Sequence, residues 1–137
     1  MNSDPKISAT KLLRSYPLGQ FFAQLTQGDR CQAVEVDQDF WRTGIANLPP
    51  GRLVSLIESA EDWPSWERHP NGEEFILQLS GELELVLEQD DIRHCLPLQA
   101  NEFVIVPKCV WHTANVIESG SALYITPGDG TENRLRE

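Results

Sequence analysis

Four residues in two separate parts of the sequence could together bind a metal ion. Glu67, His69 and Glu74 lie close to one another in the chain, and His112 follows in a later segment. Imidazole nitrogens and carboxylate oxygens are the ligands that divalent transition metals take in proteins. Two ionised carboxylates and two neutral imidazoles also balance the charge of a divalent cation, whereas unpaired carboxylates are costly to bury. The four residue types therefore predict a metal site.

The spacing of these residues suits short strands. Glu67 and His69 are two residues apart, so on a strand their side chains lie on the same face. The sequence Pro70–Gly72 predicts a turn, after which we expect a hairpin that returns a carboxylate, Glu73 or Glu74, beside His69. A single histidine or glutamate is more often a solvated residue. The metal hypothesis therefore depends on the whole set.

The elements that must position these residues are predicted strands separated by turn residues. In residues 82–89 leucines alternate with glutamates, which is typical of a strand with one buried face. Residues 103–106, FVIV, form an apolar run that we expect to be buried on both faces. The predicted strands are residues 31–36, 51–59, 74–80, 82–89, 92–96, 103–106, 111–117 and 121–127. No helix is predicted between them, which favours an antiparallel sandwich or barrel and excludes a parallel α/β sheet.

The N-terminal part of the chain is predicted to differ from this pattern. Residues 8–16 and 19–27 are each interpreted as a short helical segment, and Pro17 separates them. We therefore divide the chain into an N-terminal helical or extended arm (1–30), a β-barrel (31–127) and a C-terminal tail (128–137).

Composition limits the possible functions. The chain has 137 residues and a formal net charge of -10, which disfavours binding to nucleic acid or to anionic membranes. No apolar run approaches the roughly 20 residues of a membrane span, and we expect no secretory signal. The three cysteines lack CxxC spacing and are interpreted as reduced thiols. These features predict a cytoplasmic protein.

The first segment resembles the first motif of the cupin superfamily, which runs His-x-His, a short gap, Glu, six residues and Gly. His69, Glu74 and Gly81 fit this frame, and Glu67 stands where the family has its first histidine. The fit to Gly81 favours Glu74 over Glu73. The sequence is most similar to small single-domain cupins with the pattern WExHPxGxE.

The later segment resembles the second cupin motif, in which Gly, Pro-x-Gly, His and Asn follow one another at fixed spacing. The matching positions are Asn101, Pro107, Cys109, His112 and Asn115. Asn101 and Cys109 replace motif glycines, so the two turns must be distorted or must accept a left-handed residue. The resemblance covers residues from about 50 to 127.

The resemblance implies a fold and a site. The fold is an all-β, double-stranded antiparallel β-barrel of the jelly-roll type with a divalent metal at its mouth, here Fe, Mn, Ni or Zn. Glu67, His69, Glu74 and His112 are the candidate ligands, and Glu67 is alternatively a catalytic base. Gln78 shares the inward face of its strand with Glu74, so it is either a substrate-binding residue or a buried amide bonded to the backbone.

Two functions fit these expectations. One is a metal-dependent oxygenase or isomerase that acts on a small organic molecule. The alternative is a non-catalytic module that binds or senses a small molecule. We also expect a homodimer, because two apolar regions need cover: the N-terminal segments and an outward face formed by Phe75, Leu77 and Leu79.

Overall fold

The computed structural model describes residues 13–137, and the regular secondary structure of these residues is almost entirely β. A single short 3-10 helix, Gly44–Asn47, lies among the described residues, between the second and third strands. The strands are β1 Phe21–Thr26, β2 Arg30–Glu35, β3 Gly51–Ser59, β4 Ser65–Arg68, β5 Glu74–Gln78, β6 Glu82–Gln89, β7 Ile92–Gln99, β8 Phe103–Val106, β9 Trp111–Glu118, β10 Gly120–Thr126 and β11 Glu132–Leu135.

The strands form two antiparallel sheets. The six-stranded sheet has the order β2-β1-β3-β10-β5-β8, and the five-stranded sheet has the order β11-β4-β9-β6-β7. Buried apolar side chains of both sheets, such as Ile76 and Leu85, pack into one core. Two packed antiparallel sheets agree with the predicted jelly roll. The pairing of the described strands gives two sheets, and their closure into one barrel stays a prediction.

Strand β6 shows why the alternating pattern was informative. Leu83, Leu85 and Leu87 are all buried in the core, as the alternation predicted. Their strand pairs with β7 on one side and with β9 on the other. The bounds of β3, β6 and β8 are those predicted from the sequence.

The predicted helix at residues 19–27 is wrong. The segment contains strand β1, whose Phe22 and Gln24 are buried while their neighbours are less so. The strand pairs with β2 on one side and with β3 on the other. Pairing along both edges overrides the weak local preference of this sequence. Of the other predicted helix, residues 8–12 lie outside the described residues, and residues 13–16 have no helical structure.

Strand β8 also differs from its prediction, because only one face is buried. Phe103 and Ile105 are 56% and 53% exposed, while Val106 is buried. The strand lies at the edge of the six-stranded sheet. An apolar run alone does not tell whether a second layer covers a strand.

Three predicted turns near the candidate ligands can be compared with the structure. The turn at Pro70–Gly72 does not make the expected hairpin, because β4 and β5 belong to different sheets. It leads the chain from one sheet to the other. Asn101 and Cys109 have φ values of 71° and 67°, so these two substitutions of motif glycines are accommodated as left-handed residues.

The C-terminal residues are part of the sheets. Strand β11 pairs with β4, and Glu132 lies opposite Arg68. The division into arm, barrel and tail stays a prediction. No helix among the described residues is long and apolar enough to cross a membrane. The three cysteines are free and exposed.

Candidate metal centre

Three strands bring the predicted ligands together. Glu67 lies on β4 and pairs in register with His112 on β9. His69 follows the end of β4, and Glu74 is the first residue of β5 in the other sheet. The change of sheet at the turn therefore places the Glu74 carboxylate opposite both imidazoles. The competing residue Glu73 is exposed and does not join this group.

The distances between the four side chains suit one cation. Glu74 Oε1 lies 3.0 Å from Nε2 of His112 and 3.4 Å from Nε2 of His69. Glu67 Oε1 lies 3.7 Å from Nε2 of His69. One ligand atom from each of Glu67, His69 and His112 lies within 4.8 Å of the others. Neighbouring ligands of a metal bound at about 2.1 Å are about 3.0 to 3.4 Å apart, so a divalent ion fits this group.

Hydrogen bonds fix the tautomers of both histidines. His112 Nδ1 lies 3.0 Å from the Val110 carbonyl oxygen, which can only accept, so Nδ1 is the donor. His69 Nδ1 lies 2.8 Å from Thr131 Oγ1, whose own proton goes to the Gly128 carbonyl at 2.8 Å. In both neutral rings the lone pair is therefore on Nε2. Both lone pairs lie near Glu74 Oε1, which is also an acceptor, so the group needs a cation or a proton between its members.

His69 provides the clearest sign of this need. Its Nε2 atom is buried and has no hydrogen-bond partner. Buried polar atoms nearly always have a partner, and an unsatisfied atom costs free energy. Metal-binding histidines often have their other nitrogen held by a hydrogen bond, as Nδ1 of His69 is held by Thr131. The residues present therefore fit a bound metal.

Two threonines complete the group, and sequence reasoning did not identify them. Thr126 Oγ1 donates to Glu74 Oε2 at 2.6 Å, which holds that carboxylate with Oε1 beside the imidazoles. Thr131 holds the ring of His69. Both lie near the end of β10 or just beyond it, in a Gly-rich segment that the sequence did not connect with the site. Their short polar side chains next to a strand end were the only signal available.

The surroundings of Glu74 and Glu67 shift the pKa values of these two carboxylates in opposite directions. Burial acts to raise the pKa of Glu74, but the two neighbouring imidazoles, His112 more than His69, outweigh it and lower the pKa to about 2. Burial acts to lower the pKa of His112, yet the hydrogen bond and charge of Glu74 raise it. Burial and the Glu74 charge raise the pKa of Glu67. Glu74 thus stays ionised, while Glu67 is the carboxylate that more readily accepts a proton.

The group opens into a cavity of about 910 Å³ between the two sheets. Glu67, His69 and Glu74 contribute to its wall. Other parts of the wall come from the first and third strands, from the segment around the 3-10 helix and from the residues after β10. The aromatic lining residues are Trp41, Trp63 and Tyr124. Sequence reasoning missed Trp41 and Tyr124, which gave no local motif.

Gln78 is not brought to this group. It lies on the same buried face of β5 as Glu74, but it does not line the cavity. Its Nε2 donates to the backbone oxygen of Ser80 at 2.6 Å. Its predicted contact with a substrate stays a prediction. The third histidine of the chain, His94, is exposed.

The chain resembles known proteins only in structure. No protein-family model and no curated protein matches its sequence. The hydroxypropylphosphonic acid epoxidase from S. wedmorenis in complex with fosfomycin matches with a TM-score of 0.48 and 16% identity, over 55% of this chain and 43% of that chain. Hydroquinone 1,2-dioxygenase PnpCD in complex with Cd2+ and 4-hydroxybenzonitrile matches with a TM-score of 0.49 and 16% identity, over 58% and 60%.

A hydroquinone 1,2-dioxygenase from Sphingomonas sp. TTNP3 with 4-hydroxybenzoate bound gives a similar result. It has a TM-score of 0.47 and 12% identity, over 55% of this chain and 58% of that chain. The chain thus spans less than two thirds of the length of each of these proteins. Likenesses at this distance assign no activity.

Proposed function

We propose that this chain is a small single-domain cupin that binds one divalent metal ion through Glu67, His69, Glu74 and His112. The observation that carries the proposal is the buried Nε2 atom of His69, which has no partner and lies 3.4 Å from an ionised carboxylate. Nitrogen and carboxylate ligands suit Fe, Mn, Ni or Zn.

We propose further that the protein is a metal-dependent oxygenase or isomerase of a small organic molecule. A metal held by two histidines and one or two carboxylates would supply either a Lewis acid or, as Fe(II), a site for oxygen chemistry. The residues of the chain would do the rest. His69, His112 and Glu74 are fixed by hydrogen bonds to their neighbours, so a substrate would meet a preorganised group.

Glu67 is the proposed catalytic residue. Its side chain is 36% exposed, in contrast to the 3% of Glu74, and it lines the cavity. Its pKa is raised by burial and by the nearby Glu74 charge. A carboxylate with a raised pKa at the cavity wall can accept a proton from a substrate hydroxyl or carbon and return it. Glu67 would alternatively act as a fourth ligand.

Metal content tests the first part of the proposal. The untagged protein should contain, or take up, close to one equivalent of Fe, Mn, Ni or Zn. The variant His112→Gln should lose this metal, whereas His94→Gln, a change of the exposed histidine, should retain it. Plasma mass spectrometry of the dialysed proteins measures both. A wild-type protein that takes up none of the four metals would overturn the proposal.

Turnover separates the enzyme from the binding module. Oxygen uptake or product formation by the Fe(II)-loaded protein with small organic substrates, lost in Glu67→Gln, would support the enzyme. The alternative is favoured by one observation, the second carboxylate at position 67 in place of the first motif histidine. A ligand-induced rise in melting temperature without turnover in any metal form would support that alternative.

We also propose that the protein is a cytoplasmic homodimer. The outward face of β5, which carries Phe75 and Leu77, continues onto Phe103 and Ile105 of the edge strand β8. The rings of Phe75 and Phe103 are stacked with centroids 5.0 Å apart. An apolar face of this kind is typical of an interface. Light scattering at micromolar concentration should give twice the monomer mass, and the variant Ile105→Lys should give the monomer mass.

A further inference from the structure

Apart from the metal group, the cavity has a second feature, which is the lack of basic side chains in the wall that the described residues form. Its charged lining residues other than histidine are Glu67, Glu74 and Asp129. No lysine or arginine of the described residues 13–137 lines it. Carboxylates and phosphates are usually recognised by the donor groups of arginine or lysine. A negatively charged ligand would therefore meet acidic groups here without a basic partner from the described chain.

The walls of the cavity are mainly apolar and partly aromatic. The ring of Trp63 lies near both His112 and Tyr124, with centroid distances of 6.3 Å and 6.1 Å. The larger apolar side chains in the rest of the wall are Trp41, Ile45, Leu48, Leu53 and Ile57. Such walls favour a planar apolar body because aromatic rings pack well against one another.

Two polar atoms on the side chains of this wall lack hydrogen-bond partners. Gln24 is buried, and its Nε2 donates to the Pro49 carbonyl oxygen at 2.8 Å. Since that carbonyl can only accept, the orientation of the amide is fixed and its oxygen is the free end. Gln24 Oε1 and the hydroxyl of Tyr124 are both buried without a hydrogen-bond partner. A ligand that donates a hydrogen bond to Gln24 Oε1 and forms another with the Tyr124 hydroxyl would satisfy both atoms.

The sheet places Gln24 opposite the metal group. Gln24 on β1 is in register with Leu53 on β3, which is in register with Thr126 on β10. Thr126 in turn holds Glu74 on β5. The row crosses three strand spacings, about 14 Å along the sheet. Gln24 and Glu74 both line the cavity. A ligand with one ring and a polar group at each end, with a hydrogen bond of about 2.8 Å at either end, spans a distance of this order.

We propose that the site binds an uncharged aromatic hydroxyl compound with a hydrogen-bond donor at the end remote from the metal group. The hydroxyl end meets His69, Glu74 and Glu67, the ring lies among the aromatic walls, and the donor meets Gln24 Oε1. This assignment of a ligand class rests on the proposed function only for the metal end. The preference for an uncharged ligand and the contact with Gln24 depend on the cavity wall and not on the metal.

A matched pair of probes tests the ligand class. 4-Hydroxybenzamide and 4-hydroxybenzoate have nearly the same shape, but the first carries a neutral donor where the second carries a carboxylate. Calorimetry on the full chain, both zinc-loaded and metal-free, should show that the amide binds about tenfold or more tightly than the carboxylate, because an unmatched buried acceptor or charge costs that much. Equal binding, preference for the carboxylate, or binding of neither probe would overturn the inference.

Two variants locate the remote contact. Gln24→Leu should reduce the preference for the amide about tenfold and leave zinc affinity unchanged. Gln32→Leu makes the same change at the exposed residue in register with Gln24 on β2, and it should leave the preference intact. A preference unchanged in a folded Gln24→Leu protein would contradict the role of this residue.

The outcomes also separate the two proposals. A protein that binds no metal but still prefers the amide would overturn the metal proposal and support the ligand class. A protein that binds zinc in the predicted group but prefers the carboxylate would support the metal proposal and overturn the ligand class.

Discussion

The two ends of β5 carry buried polar residues of similar exposure but different surroundings. Glu74 and Gln78 lie on the same face of the strand and are 3% and 1% exposed. Glu74 faces two imidazoles and a threonine that come from other strands. Gln78 bonds to the backbone two residues along its own chain and does not line the cavity. On this strand, a buried polar residue belongs to the candidate metal centre only where partners from distant segments converge on it.

The largest expected effect comes from removing the charge of Glu74, at the end of β5 where distant segments converge. In Glu74→Gln the two imidazole lone pairs lose the anion between them, and we expect zinc affinity to fall by more than about 100-fold. Glu73→Gln changes the exposed neighbour and should leave affinity unchanged. Competition with a chromogenic chelator measures both. A fall of similar size in both variants would mean that the effect is not specific to the group.

A smaller effect is expected from the residue that holds Glu74. Thr126→Val removes the hydrogen bond to Glu74 Oε2, so the carboxylate is less well oriented and metal affinity should fall about 10- to 100-fold. Thr113→Val is the matched control, because Thr113 is a buried neighbour of His112 that donates to Ser65 instead. It should lower the melting temperature without changing metal affinity. Unchanged affinity in Thr126→Val would contradict an orienting role.

The pH dependence of metal binding tests the same end of β5, where Glu74 lies beside His112. The pKa of His112 is raised above 6.5 because the hydrogen bond and charge of Glu74 outweigh the effect of burial. A metal must displace the proton from Nε2, so zinc affinity should rise with pH until the imidazole is neutral, by about tenfold per unit for one proton. Titrations between about pH 6 and 8 measure this slope. A flat profile would show that no proton is displaced.

The smallest effect is expected at the other end of the strand. Gln78→Leu replaces an amide whose oxygen has no partner, so stability should change by no more than about 1 kcal/mol and metal affinity should not change. Urea unfolding and the zinc titration measure the two quantities. The same variant tests the predicted substrate contact, since a loss of affinity for 4-hydroxybenzamide would support it. A loss of metal affinity would remove the distinction between the two ends.

Much of the fold could be predicted because strand periodicity is a local property of the chain. The leucines of β6 and the inward face of β5 lie where alternation predicted them. The residues around β1 were misassigned because their strand character comes from pairing with two neighbours. The exposure of Phe103 and Ile105 was missed for a related reason, since an apolar strand does not reveal whether another layer covers it.

The candidate site was predictable to a similar degree. Residue type and spacing indicated Glu67, His69 and His112 and left Glu73 and Glu74 as alternatives, between which the resemblance to the cupin motif favoured Glu74. The structure brings Glu67, His69, Glu74 and His112 together. Thr126, Thr131 and Gln24 were not identified, because their contacts join segments far apart in the sequence. The turn before Glu74 was correctly placed but wrongly interpreted as a hairpin, because turn chemistry does not specify which sheet the chain enters next.

Anomalous diffraction from crystals of the zinc-loaded protein tests the central claim most directly. We predict one peak at the zinc edge within about 2.0 to 2.2 Å of Nε2 of His69 and His112 and of a carboxylate oxygen of Glu74. A metal found elsewhere, or imidazoles that approach Glu74 with no peak between them at saturating zinc, would contradict the metal centre on which the proposed function depends.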